Sequence, residues 1–432
     1  MSERLDFYQQ QASVRFSNIP WLRHVQENAL ADFIRLGFPT RHHEDWKYTT
    51  VDSFLQQPFV CEYNSEAHET IASSYDVHSM SKRPLPVGQS IALINDRVVG
   101  TDALAASLPP GVVVQPLSEA LVLHADKIKP YLGRILQQQH GFHALNTAML
   151  HCGLFIYLPE GTCLTTPLGL THWQDKANQA MFVRHLVILE SGSSATIIED
   201  YQGDEQTRYF TNTITEVHLA AHAKLTHHKI QRESQLAYHV GDLAVQQAAG
   251  SQLASHSFSM GGKWVRSDIN IRLQEPLAQC VMNGIYTPAH LQHMDHHTLV
   301  THEAPNCKSE QDYKGILNGH SRAVFNGRVV VTKGAQHTEA KQQNKNLLLS
   351  TQTEIDTKPQ LEIFADDVVC THGATVGQLD EEALFYLATR GIGRADASRY
   401  LVYAFAAENL RSMEDVELAA WVGNLLNDWM TL

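Results

Sequence analysis

Charged residues are scarce in this chain. Asp, Glu, Lys and Arg make up 18% of its 432 residues, against the ~25% usual for soluble domains. Basic residues are the scarcer sign, 33 Lys and Arg against 46 Asp and Glu, for a net charge of −13. That balance argues against a nucleic-acid partner, whose phosphates need clustered cations. Cysteine is sparse too: six residues at 61, 152, 163, 280, 307 and 370, with no CxxC pair. This argues against a disulfide framework and suits a reducing compartment. No apolar run approaches the ~18 residues of a membrane-spanning helix. The opening MSERLDFYQQQASVRF lacks the basic start and apolar centre of a signal peptide. The expectation is a cytoplasmic chain with no membrane partner.

Nucleotide and hydrolase motifs are also missing. The chain has no GxxxxGK[ST], no GxGxxG and no GxSxG, and Gly261-Gly262-Lys263-Trp264 lacks the first glycine and the hydroxyl residue of a phosphate loop. Any ATP-driven step would need a second chain to supply the ATPase.

Hydrophobic residues, at 43%, suffice for a large core. The 25 histidines raise the expectation that many change charge near physiological pH. Three regions follow from the patterning. Residues 1–150 form a helical and α/β region. Leu22, Val25, Ala29, Phe33 and Leu36 recur at helical spacing behind Asn18, the expected cap, and Pro20, and Gly37 stops the helix. PTRHHEDWKYTTVDSF (39–54) reads as a loop pinned by Trp46 and Tyr48, and HADKIKPYLGRIL (124–136) as a helix.

Residues 151–378 change character to short alternating runs such as FVRHLVILE, FTNTITEVHL and GRVVVTK, the period of two expected of strands. A weak repeat opens successive strands: Ser193-Ser194-Ala195, Ala223-Lys224-Leu225, Ser251-Gln252-Leu253, Ala278-Gln279-Cys280, Ser321-Arg322-Ala323 and Pro359-Gln360-Leu361. Its third positions are 30, 28, 27, 43 and 38 residues apart. The first three intervals fit one coil of a β-solenoid, and the last two fit coils carrying insertions. Residues 379–432 are helical again: Asp380 caps one helix ending at Gly391, SRYLVYAFAAENL forms a second, and Ser412 opens a third. Such a unit is expected to cap the solenoid's end, and could also offer an apolar stripe to a partner.

Two constellations bear on chemistry. In HLQHMDHHTLVTH (290–302), His293, His296, His297 and Asp295 carry metal-ligating groups, but without zinc-site spacing the segment reads as a polar turn. In LEIFADDVVCTHGATVGQLD (361–380), strand alternation puts Asp366, Cys370 and His372 on one face. Side chains two apart on a strand sit roughly 6.5–7 Å apart. A thiolate and an imidazole so placed could share a metal or exchange protons, with further ligands drawn from neighbouring coils or another subunit.

Residues 335–392, with HALNTAML (143–150), SRAVFNGRVVV (321–331) and YAFAAENL (403–410), resemble sequence blocks of the SufB/SufD family of iron–sulfur cluster assembly scaffolds. PTRHHEDWKYT and the DDVVCTHGATVG run are similar to the SufD-type branch of that family. The resemblance implies a mainly β chain: a right-handed parallel β-helix with flanking helical N- and C-terminal parts. It implies a non-enzymatic scaffold that pairs with SufB and binds the ATPase SufC through the C-terminal helices, where Leu384, Phe385, Leu387, Arg390 and Phe405 offer contacts. It implies that Cys370 and His372 face SufB and take part in cluster assembly, as ligands of a transient iron or iron–sulfur cluster and not of a stably bound cofactor. His293 and His296 depart from the family pattern and inherit no role, whereas His302 matches a family histidine. The unpaired edge of a solenoid also implies self-pairing, a homodimer, when the chain is alone. The rival readings are a SufB-type paralogue, a β-helix carbohydrate-active enzyme and a purely structural solenoid.

Overall fold

The computed structural model describes residues 2–61, 81, 83–137 and 139–431. From β4 (Leu154–Leu158) onward, consecutive strands fall into different sheets. One sheet takes β5 (Leu168–Gln174), β7 (Ser194–Gly203), β9 (Lys224–Gln231), β11 (Gln252–Ser259), β13 (Gln279–Tyr286), β15 (Lys308–Leu317), β17 (Thr338–Leu348) and β19 (Val368–Gln378). The other takes β4, β6 (Ala180–Leu189), β8 (Phe210–Leu219), β10 (Tyr238–Gln247), β12 (Trp264–Leu273), β14 (His293–His302), β16 (Arg322–Val331) and β18 (Glu354–Ile363). Neighbours within each of these series are parallel, so each coil gives one strand to each sheet and the whole is a parallel β-helix. At the N-terminal end the sheets are extended by β1 (Gln89–Ile94), β2 (Arg97–Val99) and β3 (Val113–Pro116), with β2 and β3 antiparallel to their neighbours.

The first three repeat intervals are the coil register itself. Ala195 pairs with Leu225, Leu225 with Leu253 and Leu253 with Cys280. The two longer intervals do not mark insertions. Ala323 and Leu361 belong to the other sheet, where they pair with Ile355 and Val329. The column from Cys280 continues through Ser309 and Ala340 to Cys370, at spacings of 29, 31 and 30 residues. The better marker of the repeat is the corner before it. Gly192, His222, Gly250, Leu277, Asn306 and His337 all have positive φ, and each donates its N–H to the next coil. Left-handed backbone turns the chain sharply there, which glycine and asparagine tolerate and leucine resists.

Each flat sheet is covered by helices. On the even-numbered sheet lie α1 (Ser2–Ser13), α2 (Pro20–Leu36), α3 (Asp52–Leu55) and α7 (Gly141–Ala148), reached after α4 (Thr101–Ala105), α5 (Leu117–Leu123) and α6 (Ala125–Ile128). Tyr8, Phe33, Phe54 and Phe142 meet Phe210, Tyr238 and Trp264 in one aromatic cluster. Ile19, not Asn18, is the N-cap of α2, and Pro20 stands at its first turn, where a missing N–H costs nothing. The 124–136 segment is not one helix: α6 ends at Ile128, two residues before Pro130, whose ring disfavours helix in the residue preceding it. The 39–54 loop contains a 3-10 turn, Glu44–Trp46, and its buried Trp46 stacks on Trp264. On the odd-numbered sheet lie α9 (Arg394–Arg411) and α10 (Val416–Trp429), and α8 (Glu381–Thr389) packs on α9.

The long helices α9 and α10 do not cap the solenoid's end. Val402, Leu410, Leu418 and Leu426 pack against Ile230, Phe258, Ile285 and Ile316 on the flank of the sheet. Asn409 pins α9 there by donating to the carbonyls of Gly284 and Asp312. Asp380 caps α8 as expected, but Ser412 closes α9, and Asp415 is the residue that caps α10.

The interior is polar as well as apolar. Glu199 accepts from Tyr201 and Thr215 and faces His227, while His172 and His185 share a hydrogen bond. Burial pushes His172 down to about 3 and, with His227, His256 down to about 4. The composition suggests many histidines titrating near neutrality; these two instead stay neutral there.

Candidate functional site: the uncovered end of the solenoid

With both helical layers on the flanks, the last coil is left open. β19 pairs only with β17 and β18 only with β16, so both terminal strands keep a free edge among the described residues. Around them Phe364 is 63%, Val369 69% and Val376 49% exposed, an unusual concentration of apolar surface at one place.

Cys370 and His372 sit on β19 in successive inward positions. Cys370 packs half-buried beside Val368 against Ala340 and Val331. Burial pushes its thiol up, partly offset by the backbone of Ala340. His372 extends the column of Met282, Gln311 and Gln342, and with no coil above it is exposed. Asp366 does not belong to the column, because β19 starts at Val368 and Asp366 lies in the preceding turn. Among the described residues no third His, Cys, Asp or Glu joins Cys370 and His372 within ligand distance. The two side chains offer one soft and one borderline donor, fewer than a tetrahedral site needs.

The residues expected to bind a partner on the C-terminal helices separate by burial. Phe385, at 72% exposure, and Arg390 face outward, Leu387 and Phe405 are half-buried, and Leu384 is buried within the helical layer. Phe405 lies under the buried Lys314, whose Nζ donates to the Phe405 carbonyl and to Glu408. Exposed Tyr386, Tyr400 and Tyr403 extend the surface.

Only the start of the 290–302 segment is a turn; from His293 to His302 it is strand β14. Alternation on β14 sends His293, Asp295 and His297 outward and His296 inward, where it bonds Ser259. Asp295 is held by Arg266 at 2.7 Å and by His297 at 3.0 Å. The histidines therefore cannot gather on one ion. His302 bonds Ser309 inside the solenoid.

Two family models divide the chain between them: the SufBD protein N-terminal region over residues 2–170, and the SUF system FeS cluster assembly SufBD core domain over 172–405. The chain belongs to the SufB/SufD family. It is 32% identical to the iron–sulfur cluster assembly protein SufD of Escherichia coli over 89% of this chain and 88% of that protein. An iron–sulfur cluster assembly SufBD family protein of Synechocystis is 29% identical over 90% of this chain and 86% of its own length. The SufD of Bacillus subtilis is 25% identical over 69% of both. The SufBD core match runs from within β5 through β19 and ends inside α9, so it includes the open end with Cys370 and His372. No helix among the described residues is long and apolar enough to cross a membrane.

Proposed function

We propose that this chain is a non-enzymatic scaffold subunit of the SUF iron–sulfur cluster assembly machinery, working in the cytoplasm with SufB and the ATPase SufC. The observation that carries the reading is the open end. A free strand edge, exposed apolar side chains and a thiol–imidazole pair lacking further ligands lie together on the last coil. A homologous solenoid edge can pair with β18 or β19 and bring the missing ligands. SufB fills that place in the assembly, and a second copy of this chain fills it when SufB is absent. Iron or a nascent cluster is then cargo held across the interface by His372, with Cys370 as second donor.

SufC docks on the outward face of α8 and α9, through Phe385, Arg390, Leu387 and the neighbouring tyrosines. Aromatic and arginine side chains dominate such contacts. Deleting the chain after Asp380 is a poor test, because it strips the cover from Ile230, Phe258 and Ile316. Surface changes are cleaner.

The deciding experiment is His372→Ala in the complex co-expressed with SufB and SufC. The complex should still assemble and hydrolyse ATP but lose cluster maturation of a reporter protein. Unchanged maturation would remove His372 from the cargo site.

A further inference from the structure

A second set of ligating groups lies far from the open end, where α7 meets the even-numbered sheet. His140 is the N-cap of α7 and His143 lies in its first turn. A spacing of three residues puts both on one face of the helix, and their rings lie 3.6 Å apart between centroids. Opposite them stands Asp268 of β12. One ligand atom from each of the three lies within 4.8 Å of the others, and all three residues are buried. The His140 Nε2 is 3.7 Å from the Asp268 carboxylate, beyond hydrogen-bond reach. Both ring nitrogens of His140 lack a hydrogen-bond partner although the residue is only 8% exposed. Buried polar atoms are nearly always paired, so this histidine keeps hydrogen-bonding capacity that no described residue meets within hydrogen-bond distance. It lines a cavity of about 240 Å³, shared with His43, Trp46, Arg266 and His297.

We propose that His140, His143 and Asp268 form a binding site for a divalent first-row transition metal, which ties the N-terminal helical layer to the solenoid. Two imidazoles and one carboxylate, with no thiolate, match the preferences of Zn(II) and Fe(II). The cavity leaves room for water at the remaining positions. Arg266 does not cancel the site. Its guanidinium is already held between Asp268 at 2.8 Å and Asp295 at 2.7 Å. Asp242 is not one of the three ligands: its oxygen, 3.1 Å from His143 Nε2, orients that ring, and the long 3.3 Å bond from the Gln139 N–H to His143 Nδ1 is the contact a metal on that nitrogen would replace. The site is independent of Cys370 and His372, which lie on a different strand of the other sheet.

The test uses the full chain, stripped by chelator and titrated anaerobically with Co(II) alone as the spectroscopic probe. One equivalent should bind with d–d absorption bands and be displaced by Zn(II). His140→Gln sacrifices no hydrogen bond and should fold; it and His143→Gln should each weaken that equivalent by at least about a hundredfold. A Cys370→Ala, His372→Ala double variant should keep it. Zn(II) should raise the melting temperature of the native chain but not of the His140 variant. X-ray absorption on the Zn(II)-loaded native chain should show a nitrogen and oxygen shell with imidazole scattering, a readout that needs no variant. Sulfur in that shell, no stoichiometric binding by the native chain, or full retention by folded His140→Gln would each overturn the site.

Discussion

Cys370 occupies the place of Cys280 three coils further along the same column, through Ser309 and Ala340. The two differ in what lies beyond them. Cys280 is sealed on both sides and its thiol is pushed far up by burial, whereas Cys370 is half-buried because no coil follows. A position that is buried in the preceding coils of this column is half-open at the last one.

That difference is measurable by thiol alkylation of the native chain followed by mass spectrometry. Cys163, which is exposed, should react first and Cys370 next, with Cys152 and Cys280 reacting only on unfolding. Assembly with SufB should protect Cys370 and leave Cys163 unchanged.

The double change Phe385→Asp, Arg390→Glu should abolish SufC co-purification and preserve SufB co-purification. Both side chains are exposed, so the denaturation midpoint should move by less than about 0.5 kcal/mol equivalent per site. Leu384→Asp, by contrast, should lower stability, because it puts a charge into the buried side of α8.

Arg266 balances two buried carboxylates and lies over Trp46, 4.5 Å from its ring centroid. Arg266→Met should cost about 3–5 kcal/mol, because Asp268 and Asp295 remain buried without their cation. Urea denaturation monitored by tryptophan fluorescence reads it directly. The Glu44–Lys358 pair across the same loop is exposed, and Glu44→Gln should have little effect.

Acid should destabilise the chain earlier than carboxylate titration alone explains. Burial pushes His296 down to about 3 and His302 down to about 4, as with His172 and His256. Below the ordinary histidine value of ~6.5 the unfolded chain takes up protons that these folded sites refuse. Their contribution is complete above that pH and is lost progressively as pH falls to about 4 and below. Each such site weighs on the order of 1.4 kcal/mol per pH unit in that window. A melting temperature that stays flat from pH 7 to pH 5 would contradict this.

Leu277 holds a left-handed corner with φ 66° while its side chain is 56% exposed. Leu277→Asn should raise stability by roughly 0.5–1 kcal/mol, since asparagine accepts that backbone and little apolar burial is lost. Calorimetry of the two proteins settles it.

Much of this was legible along the chain. Coil length showed in Ala195, Leu225, Leu253 and Cys280, because stacked parallel strands repeat their side-chain environment at a fixed interval. The repeat was lost after Cys280 because Ala323 carries the same small-polar-small pattern on the opposite sheet, and alternation cannot say which sheet a strand joins. Asp380 announced a helix because a capping carboxylate is a local device. The SufBD blocks named the family.

What only the tertiary structure decided concerns contacts between distant segments. Local sequence determined that 379–432 is helical and amphipathic. Where those helices lie followed from Ile230, Phe258, Ile285 and Ile316, outward-facing residues of four different strands whose common face exists only after coiling. The same coiling leaves Cys370 and His372 at an open end and places Asp268, 125 residues beyond His143, against α7. Periodicity and caps are written within a turn or a strand. The neighbours of a column are set by stacking, and stacking is a property of the whole solenoid.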